Sequence, residues 1–419
     1  MSFIYMVVYS RYYMKQILSI IFLFSLAFQT FSSEYHVATN GTVGGSGTST
    51  SPWDLQTALN MPVSVHPGDT IWVRGGNYKG AYKGRLMGTY NQWTKIRAYR
   101  NERVIIDISA KTGTYDYGLE IFGTNGVYWG FSIRNTNNII WPGSYMGEQP
   151  ENAAYLRPPG TGGGNTGGGI KVSEVGSFGT IDNGCKSNRI VNCTIEDVGL
   201  GQAINAFVGS MEIYGCIIAR ARCGYGTYMH GRNAVPPRWH RIRDNIWINN
   251  RGSTGSRGSQ LQLGGANVAP MDNFDITGNA IINIMNQSGF VTIASADPAP
   301  GNKLSGVMID NYMYGYLYNQ LGRYTEPSGM LFSNNWAVGM LSSVFNVYAC
   351  DSDTYYNFKS NYTTGTFKNG ASCANVIVSN TKTINSGIHV MIRTNEWQDG
   401  LDPKKANIYI INLNGATNT

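Results

Sequence analysis

One short unit returns along most of this chain and limits what it can fold into. Two β-formers lead to a residue drawn from Asn, Gly and Asp, then to one drawn from Cys, Asn and Gly, then to a second β-rich run. It reads VYWGFSI at 127–133, IVNCTI at 190–195, IYGCII at 213–218, IRDNIW at 242–247, ITGNAI at 276–281 and MIDNYM at 308–313. From Cys193, the fourth residues of successive units lie 23, 29, 34 and 32 positions apart, at Cys216, Asn245, Asn279 and Asn311. A repeat of that length is the mark of a solenoid, and strand-forming content selects a β-solenoid over a helical one.

A second strand set lies between these units: LEIF at 119–122, IKVS at 170–173, INAF at 204–207, TYMH at 227–230, LQLG at 261–264 and VTIA at 291–294. Each alternates an inward apolar residue with an outward polar or aromatic one, as period-two strands do. Coils of two or three such strands would bond to the coils above and below and stack like residues in columns. Composition agrees. Charged residues are 14%, roughly half the usual share, while Gly reaches 52 and Tyr 27. Many turns joined by β-branched runs need that mixture, and the aromatic content argues against disorder. The expected fold is all-β, a right-handed parallel β-helix with an N-terminal cap.

The opening is more specific. YHVATNG at 35–41, PWDLQTAL at 52–59 and PGDTIWVRGGNY at 67–78 resemble the start of bacterial pectate-lyase-like β-helix proteins. TKIRAY at 94–99 and ERVIID at 102–107 look like the next coil of the same families. The resemblance covers about residues 35 to 320. It implies that the LQTAL stretch caps the solenoid, that GDTI begins the first coil, and that the protein acts on polysaccharides. The superfamily hosts several chemistries, so the resemblance specifies fold more than reaction.

Three domain-level expectations follow. Residues 1–33 read as an export signal, with a 12-residue apolar run from Ile17 to Phe28, small residues near Thr30 and Ser32, and Met14-Lys15 just before the run. Met14 is the expected initiator, and no stable membrane insertion is expected once the signal is removed. The β-helix should span 34–385, interrupted by a Gly/Pro-rich insertion at 137–168 that either walls a cleft or decorates the surface. Residues 386–419 read as the start of a further β region that the sequence leaves incomplete. Export places the protein in a secreted or cell-surface setting where Cys185, Cys193, Cys216, Cys223, Cys350 and Cys373 can pair, in an order the sequence leaves open.

Stacking the second strand set in register gives an outward column of Glu120, Lys171, Asn205, Tyr228, Gln262 and Thr292. The next outward column is Phe122, Ser173, Phe207, His230, Gly264 and Ala294. Coils sit about 4.8 Å apart, so side chains of adjacent coils can converge on one sugar ring, and Lys171, Tyr228 and His230 would lie within two or three coils of each other, with Arg222 and Arg232 at adjoining turns. Eliminative cleavage of a uronide needs a neutralised carboxylate and a base for the C5 proton. Lys171, Tyr228, His230 and Arg232 are therefore the candidate catalytic residues, and Glu120, Asn205, Arg222 and Gln262 the candidate substrate-binding ones. Each also has a plainer reading: a solvated lysine, a turn-bonding histidine, a loop-holding arginine, a tyrosine covering its neighbour. In similar lyases Lys or Arg is the usual base and calcium is common. No diagnostic motif aligns here residue by residue, and calcium ligands scattered over coils are not assembled by sequence, so the metal stays open.

The net charge of +7 favours an anionic polysaccharide, and the lack of any Lys/Arg block argues against nucleic acid. A monomer is expected. A polysaccharide lyase is the leading reading. A glycoside hydrolase would need two carboxylates about 5–10 Å apart, with Glu196, Asp197, Glu212, Glu174 and Asp182 available, yet the Asp-Asp, Gly-His and Arg-x-Lys set of β-helix polygalacturonases is missing. A non-catalytic glycan-binding or adhesive β-helix is the third reading, since Tyr and Trp serve sugar stacking equally well.

Overall fold

The structure, a computed structural model, describes residues 32–109, 117–135, 168–172, 187–198, 202–206, 210–221, 225–229, 240–248, 250, 260–263, 274–283, 291–294, 303–315, 319–323, 326–339, 343–347, 356–359, 362–363, 366–369, 376–379, 382–383, 388–394 and 406–412. The export signal and the 137–168 insertion lie outside these residues, apart from 32–33 and Gly168. Among the described residues the chain is all-β, wound as a right-handed parallel β-helix with three parallel sheets of twelve, eleven and ten strands. A coil passes through the sheets in order: Thr70–Val73 in sheet 1, Gly76–Lys79 in sheet 2, Tyr82–Gly84 in sheet 3, then Thr94–Ala98 back in sheet 1. Near the C-terminus Ile388–Thr394 pairs antiparallel with Ala406–Asn412. No helix among the described residues is long and apolar enough to cross a membrane.

The repeat drives this winding because its apolar positions meet only when coils stack in register. Ile190, Ile213, Ile242, Ile276, Met308 and Phe332 are consecutive Cα partners in sheet 1, and all are fully buried. Burying each such side chain contributes roughly 1.5–3 kcal/mol. The third residue of the unit has a backbone reason. Asn192, Gly215, Asp244, Gly278, Asp310 and Asn334 all have φ between 49° and 68°, a left-handed bend tolerated by Gly and, among the rest, best by Asn and Asp.

The fourth residue binds the coils together. Asn245, Asn279, Asn311 and Asn335 are almost completely buried. Each Nδ2 donates to a carbonyl of the preceding coil at 2.8 Å: Ile213, Ile242, Ile276 and Met308 in turn. Each Oδ1 accepts from the backbone N–H one coil back, from Cys216 at 2.8 Å, Asn245 at 2.9 Å, Asn279 at 2.9 Å and Asn311 at 3.1 Å. The second Nδ2 hydrogen of Asn245, Asn279 and Asn311 goes to the next Oδ1 in the ladder. Cys193 and Cys216 occupy the same column as buried free thiols. Cys216 Sγ accepts from Cys193 N at 3.4 Å and donates to Ile190 O at 3.5 Å, so sulfur does weakly what the amides do well. The other four cysteines lie outside the described residues.

At the N-terminal end Leu55–Leu59 forms a short helix, with Asp54 accepting from Thr57 N at 2.9 Å as its cap. Leu55, Ala58 and Leu59 are buried over the first coil. Glu34–Val37 already pairs in register with Thr70–Val73, so sheet 1 begins one rung before the GDTI strand. The cap and this strand together cover the core end that a solenoid would otherwise expose.

His240 interrupts the apolar interior. It lies between Met211 and Phe274, is 2% exposed, and neither ring nitrogen has a hydrogen-bond partner among the described residues. Burial lowers its pKa from 6.5 to about 3. The folded state thus holds the neutral ring, while the unfolded chain takes a proton below about pH 6.5. Its contribution is complete above that pH and is lost as pH falls toward 3, by about 2 kcal/mol at pH 5. Urea unfolding of wild type should therefore weaken between pH 7 and pH 5, and His240→Leu should remove most of that slope. In the ladder, Asn279→Ala strands several buried partners and should cost about 3–5 kcal/mol. Cys216→Asn, which extends the amide ladder by one rung, should raise the urea midpoint instead.

Candidate functional site

Each sheet turns one face outward, and the three faces differ in what occupies them. On sheet 1 the Arg97 guanidinium lies 4.7 Å from the Trp72 ring centroid and 3.9 Å from that of Trp129, while Arg189 lies 4.2 Å from Trp93. On sheet 2 Arg220 holds Glu196 at 2.8 Å and Asp197 at 2.6 Å. Arg103 approaches Glu196 from the other side at 3.7 Å. Glu212, on sheet 1, is in ionic contact with Arg189. These carboxylates, the ones a hydrolase would draw on, are all engaged by arginines. Glu174 and Asp182 lie outside the described residues.

Sheet 3 carries the outward column. Backbone register aligns Glu120, Lys171, Asn205, Tyr228, Gln262 and Thr292 as consecutive Cα partners. It also adds Lys83 at the N-terminal end, a residue the sequence reading left out. Lys171 Nζ stands 3.0 Å from Glu120 Oε1, with a quarter of the lysine and a fifth of the glutamate exposed. The same ammonium lies 5.9 Å from the Tyr117 ring centroid. Lys83 and Arg85 flank Phe122 at 5.9 and 5.8 Å from its ring centroid. The N-terminal end of the face is therefore cationic and aromatic together.

Behind Lys171 sits a polar triad. The Tyr117 hydroxyl donates to Gln202 Oε1 at 3.1 Å and accepts from Asn205 Nδ2 at 3.0 Å, and Nδ2 also reaches Gln202 Oε1 at 3.2 Å. The Tyr117 ring crosses a whole coil to make these contacts, which Gly168 permits. A Cβ at Gly168 would come within 2.1 Å of Tyr117 Cε1. Asn205 keeps its place in the column but is 1% exposed, so a ligand meets Lys171 and Glu120 before it. Burial, opposed in part by the Asn205 hydrogen bond, pushes the Tyr117 hydroxyl up to about 12.

Tyr228 stacks on Tyr225, ring centroids 5.0 Å apart and planes 25° from parallel. Burial first, and Tyr225 second, push its hydroxyl up to about 12. At neutral pH Tyr228 is thus a proton donor and a poor base. Gln262 follows one coil on, half-buried. His230, Arg222 and Arg232 lie outside the described residues, as do Ser173, Phe207 and Gly264 of the second column. Among the described residues no three His, Cys, Asp or Glu side chains converge, and the one carboxylate in the described part of this column, Glu120, is paired with a lysine.

Comparison with known proteins agrees on the fold. Residues 35–194 match the family model described as Pel9A-like, right handed beta helix region, which meets the pectate-lyase-like resemblance over a shorter span than the sequence reading gave it. The lacto-N-biosidase of glycoside hydrolase family 136 from Eubacterium ramulus is 12% identical, with a TM-score of 0.49 over 84% of this chain and 68% of that one. Pectate lyase Pel9A is 12% identical, with a TM-score of 0.45 over 84% of this chain and 78% of that one. An alginate lyase from Paenibacillus sp. str. FPU-7 is 15% identical, with a TM-score of 0.39 over 78% of this chain and 96% of that one. No curated protein matches the sequence.

The Gly168 crossing can be tested apart from any activity. Gly168→Ala should destabilise the protein by about 1–3 kcal/mol through overpacking against Tyr117. In a Tyr117→Ala background the same change should cost clearly less, read by urea melts of the two single variants and the double variant.

Proposed function

We propose that the protein is exported and degrades an anionic polysaccharide by β-elimination, with the glycan lying along the outward face of sheet 3. The observation that carries this reading is the register-aligned column from Lys83 to Gln262, which sets two lysines and a carboxylate on three successive coils and a half-buried tyrosine two coils further on. The +7 net charge supports an anionic partner.

The chemistry divides among the groups as follows. Lys171 faces the uronate carboxylate and offsets its charge, so that the C5–H bond becomes acidic. A base takes the C5 proton, the electron pair forms the C4–C5 double bond, and the C4–O bond breaks. Tyr228, protonated at neutral pH, supplies the proton to the departing oxygen. The base is assigned to His230 or Arg232, two and four residues after Tyr228 in sequence. Gln262 and Arg222 would orient the flanking sugars, while Asn205, buried beneath the face, holds the Tyr117 hydroxyl in place. Glu120 fixes Lys171 and offers an acceptor to sugar hydroxyls. A single carboxylate in the described part of this column, and the engagement of Glu196, Asp197 and Glu212 by arginines, favour elimination over hydrolysis.

A second reading, glycan binding without turnover, is favoured by the closed Glu120–Lys171 pair and by the Tyr225–Tyr228 stack. Incubation with alginate, polygalacturonate and glycosaminoglycans decides between them. Elimination should release unsaturated ends that absorb in the ultraviolet. Tyr228→Phe should then lower kcat by about 10²–10⁴-fold, the usual range for a lost general acid. Glycan retention with no ultraviolet product would select binding alone. If product does form, unchanged turnover in both Lys171→Ala and His230→Ala would remove this face from the mechanism.

A further inference from the structure

Within the reading just given, the charge order of the column narrows the substrate class. We propose that this face selects a glycan whose anionic groups recur on every second sugar, an alternating copolymer in preference to a homopolyuronate.

The order along the first three rungs is cation, anion, cation: Lys83, Glu120 and Lys171 on consecutive coils. One coil rises about 4.8 Å, close to the length of a hexose unit in a polysaccharide chain. A glycan laid along the column therefore presents about one sugar to each rung. The two lysines stand two coils apart, roughly 10 Å, and match anionic groups on alternate sugars. The middle rung is the discriminating one. Glu120 is held at 3.0 Å by Lys171 and is a fifth exposed, so it is tied in place on this face. A third carboxylate from a homopolyuronate would be set against it, and like charges at that range repel. A neutral sugar suits the same rung, because its hydroxyls donate to the carboxylate.

The rungs beyond Lys171 continue the pattern without charge. Asn205, Tyr228, Gln262 and Thr292 follow in register, and the register meets its next cation position only at Lys368. Among the described residues of the column the lysines nearest the ligand face thus lie at the N-terminal end, where Lys83 and Arg85 both approach Phe122. A polymer charged on every sugar meets no cation of this column at those rungs, whereas one with alternate neutral sugars can hydrogen-bond to the partly exposed ones, Tyr228 and Gln262.

The test compares two alternating polymers, hyaluronan and a rhamnose–galacturonate backbone, with two homopolymers, polygalacturonate and polymannuronate, at matched length. Binding is read by affinity electrophoresis and calorimetry at fixed low salt. At least one alternating polymer should bind ten-fold or more tightly than either homopolymer. Glu120→Gln should shrink that preference at least three-fold by strengthening homopolymer binding, with folding checked by thermal melting. Lys83→Ala changes an exposed side chain, and should weaken the preferred alternating polymer at least three-fold. A homopolymer bound as tightly as the alternating ones, with no change of ratio in Glu120→Gln, overturns the alternation while leaving a polysaccharide-binding face in place. Failure of all four polymers to bind overturns both.

Discussion

From Cys193 to Asn335 each coil turns sharply between its sheet 1 and sheet 2 strands, and the fourth residue of the repeat faces inward there. A buried backbone N–H or carbonyl left without a partner costs as much as a lost hydrogen bond or more. The ladder from Cys193 to Asn335 solves this by making each coil supply the next one's partner. The solution works only when a side-chain acceptor recurs at one-coil height, and this constraint propagates. It locks the register of sheet 1, fixes the Ile190-to-Phe332 column inside, and pushes all variation in repeat length to the other two corners. Spacings of 23 to 34 residues coexist with a constant turn for that reason.

Much of the fold was legible because this constraint writes itself into residue types. A left-handed bend calls for Gly, Asn or Asp, and a buried bifunctional rung calls for Asn, so the unit stands out in sequence. Cys193 and Cys216 were legible as ladder positions but not as thiol rungs, since exported cysteines point first to disulfides. The rung at Asn335 follows a segment whose flanks do not repeat the earlier spelling. The strand Glu34–Val37 was read only as part of the opening segment, because its partner, Thr70–Val73, lies beyond a 32-residue excursion. Neither tells its pairing through local alternation.

The candidate face was legible in the same measure. Once coils stack in register, the order from Glu120 to Thr292 follows from counting, and the pairing of strands has that order. What counting does not supply is depth and reach. Asn205 is buried because Tyr117 crosses over Gly168, a contact set by an absent Cβ and not by any periodic signal. Lys83 was missed because Tyr82–Gly84 is too short to show alternation, and the stretch after it carries no second period. Its only early clue was distance from the strand at Tyr117–Ile121, and that distance matches no other spacing in the chain.

The three outward faces also explain why one of them is suited to a polymer. Side chains on adjacent coils lie close enough to satisfy one another, and on sheets 1 and 2 the described ones do so: arginine against tryptophan, and arginine against paired carboxylates. Such pairs brace the stack but spend the functional groups that a ligand would need. Among its described side chains sheet 3 has one close ion pair, Glu120 with Lys171, and the column then runs on through amide and hydroxyl residues whose order is set by the backbone. A stack that must be in register to fold therefore also presents a row of fixed polar groups at sugar-length intervals. The same hydrogen-bonding rule that forces the coils to align gives one face its periodicity, and a periodic face is best matched by a periodic ligand.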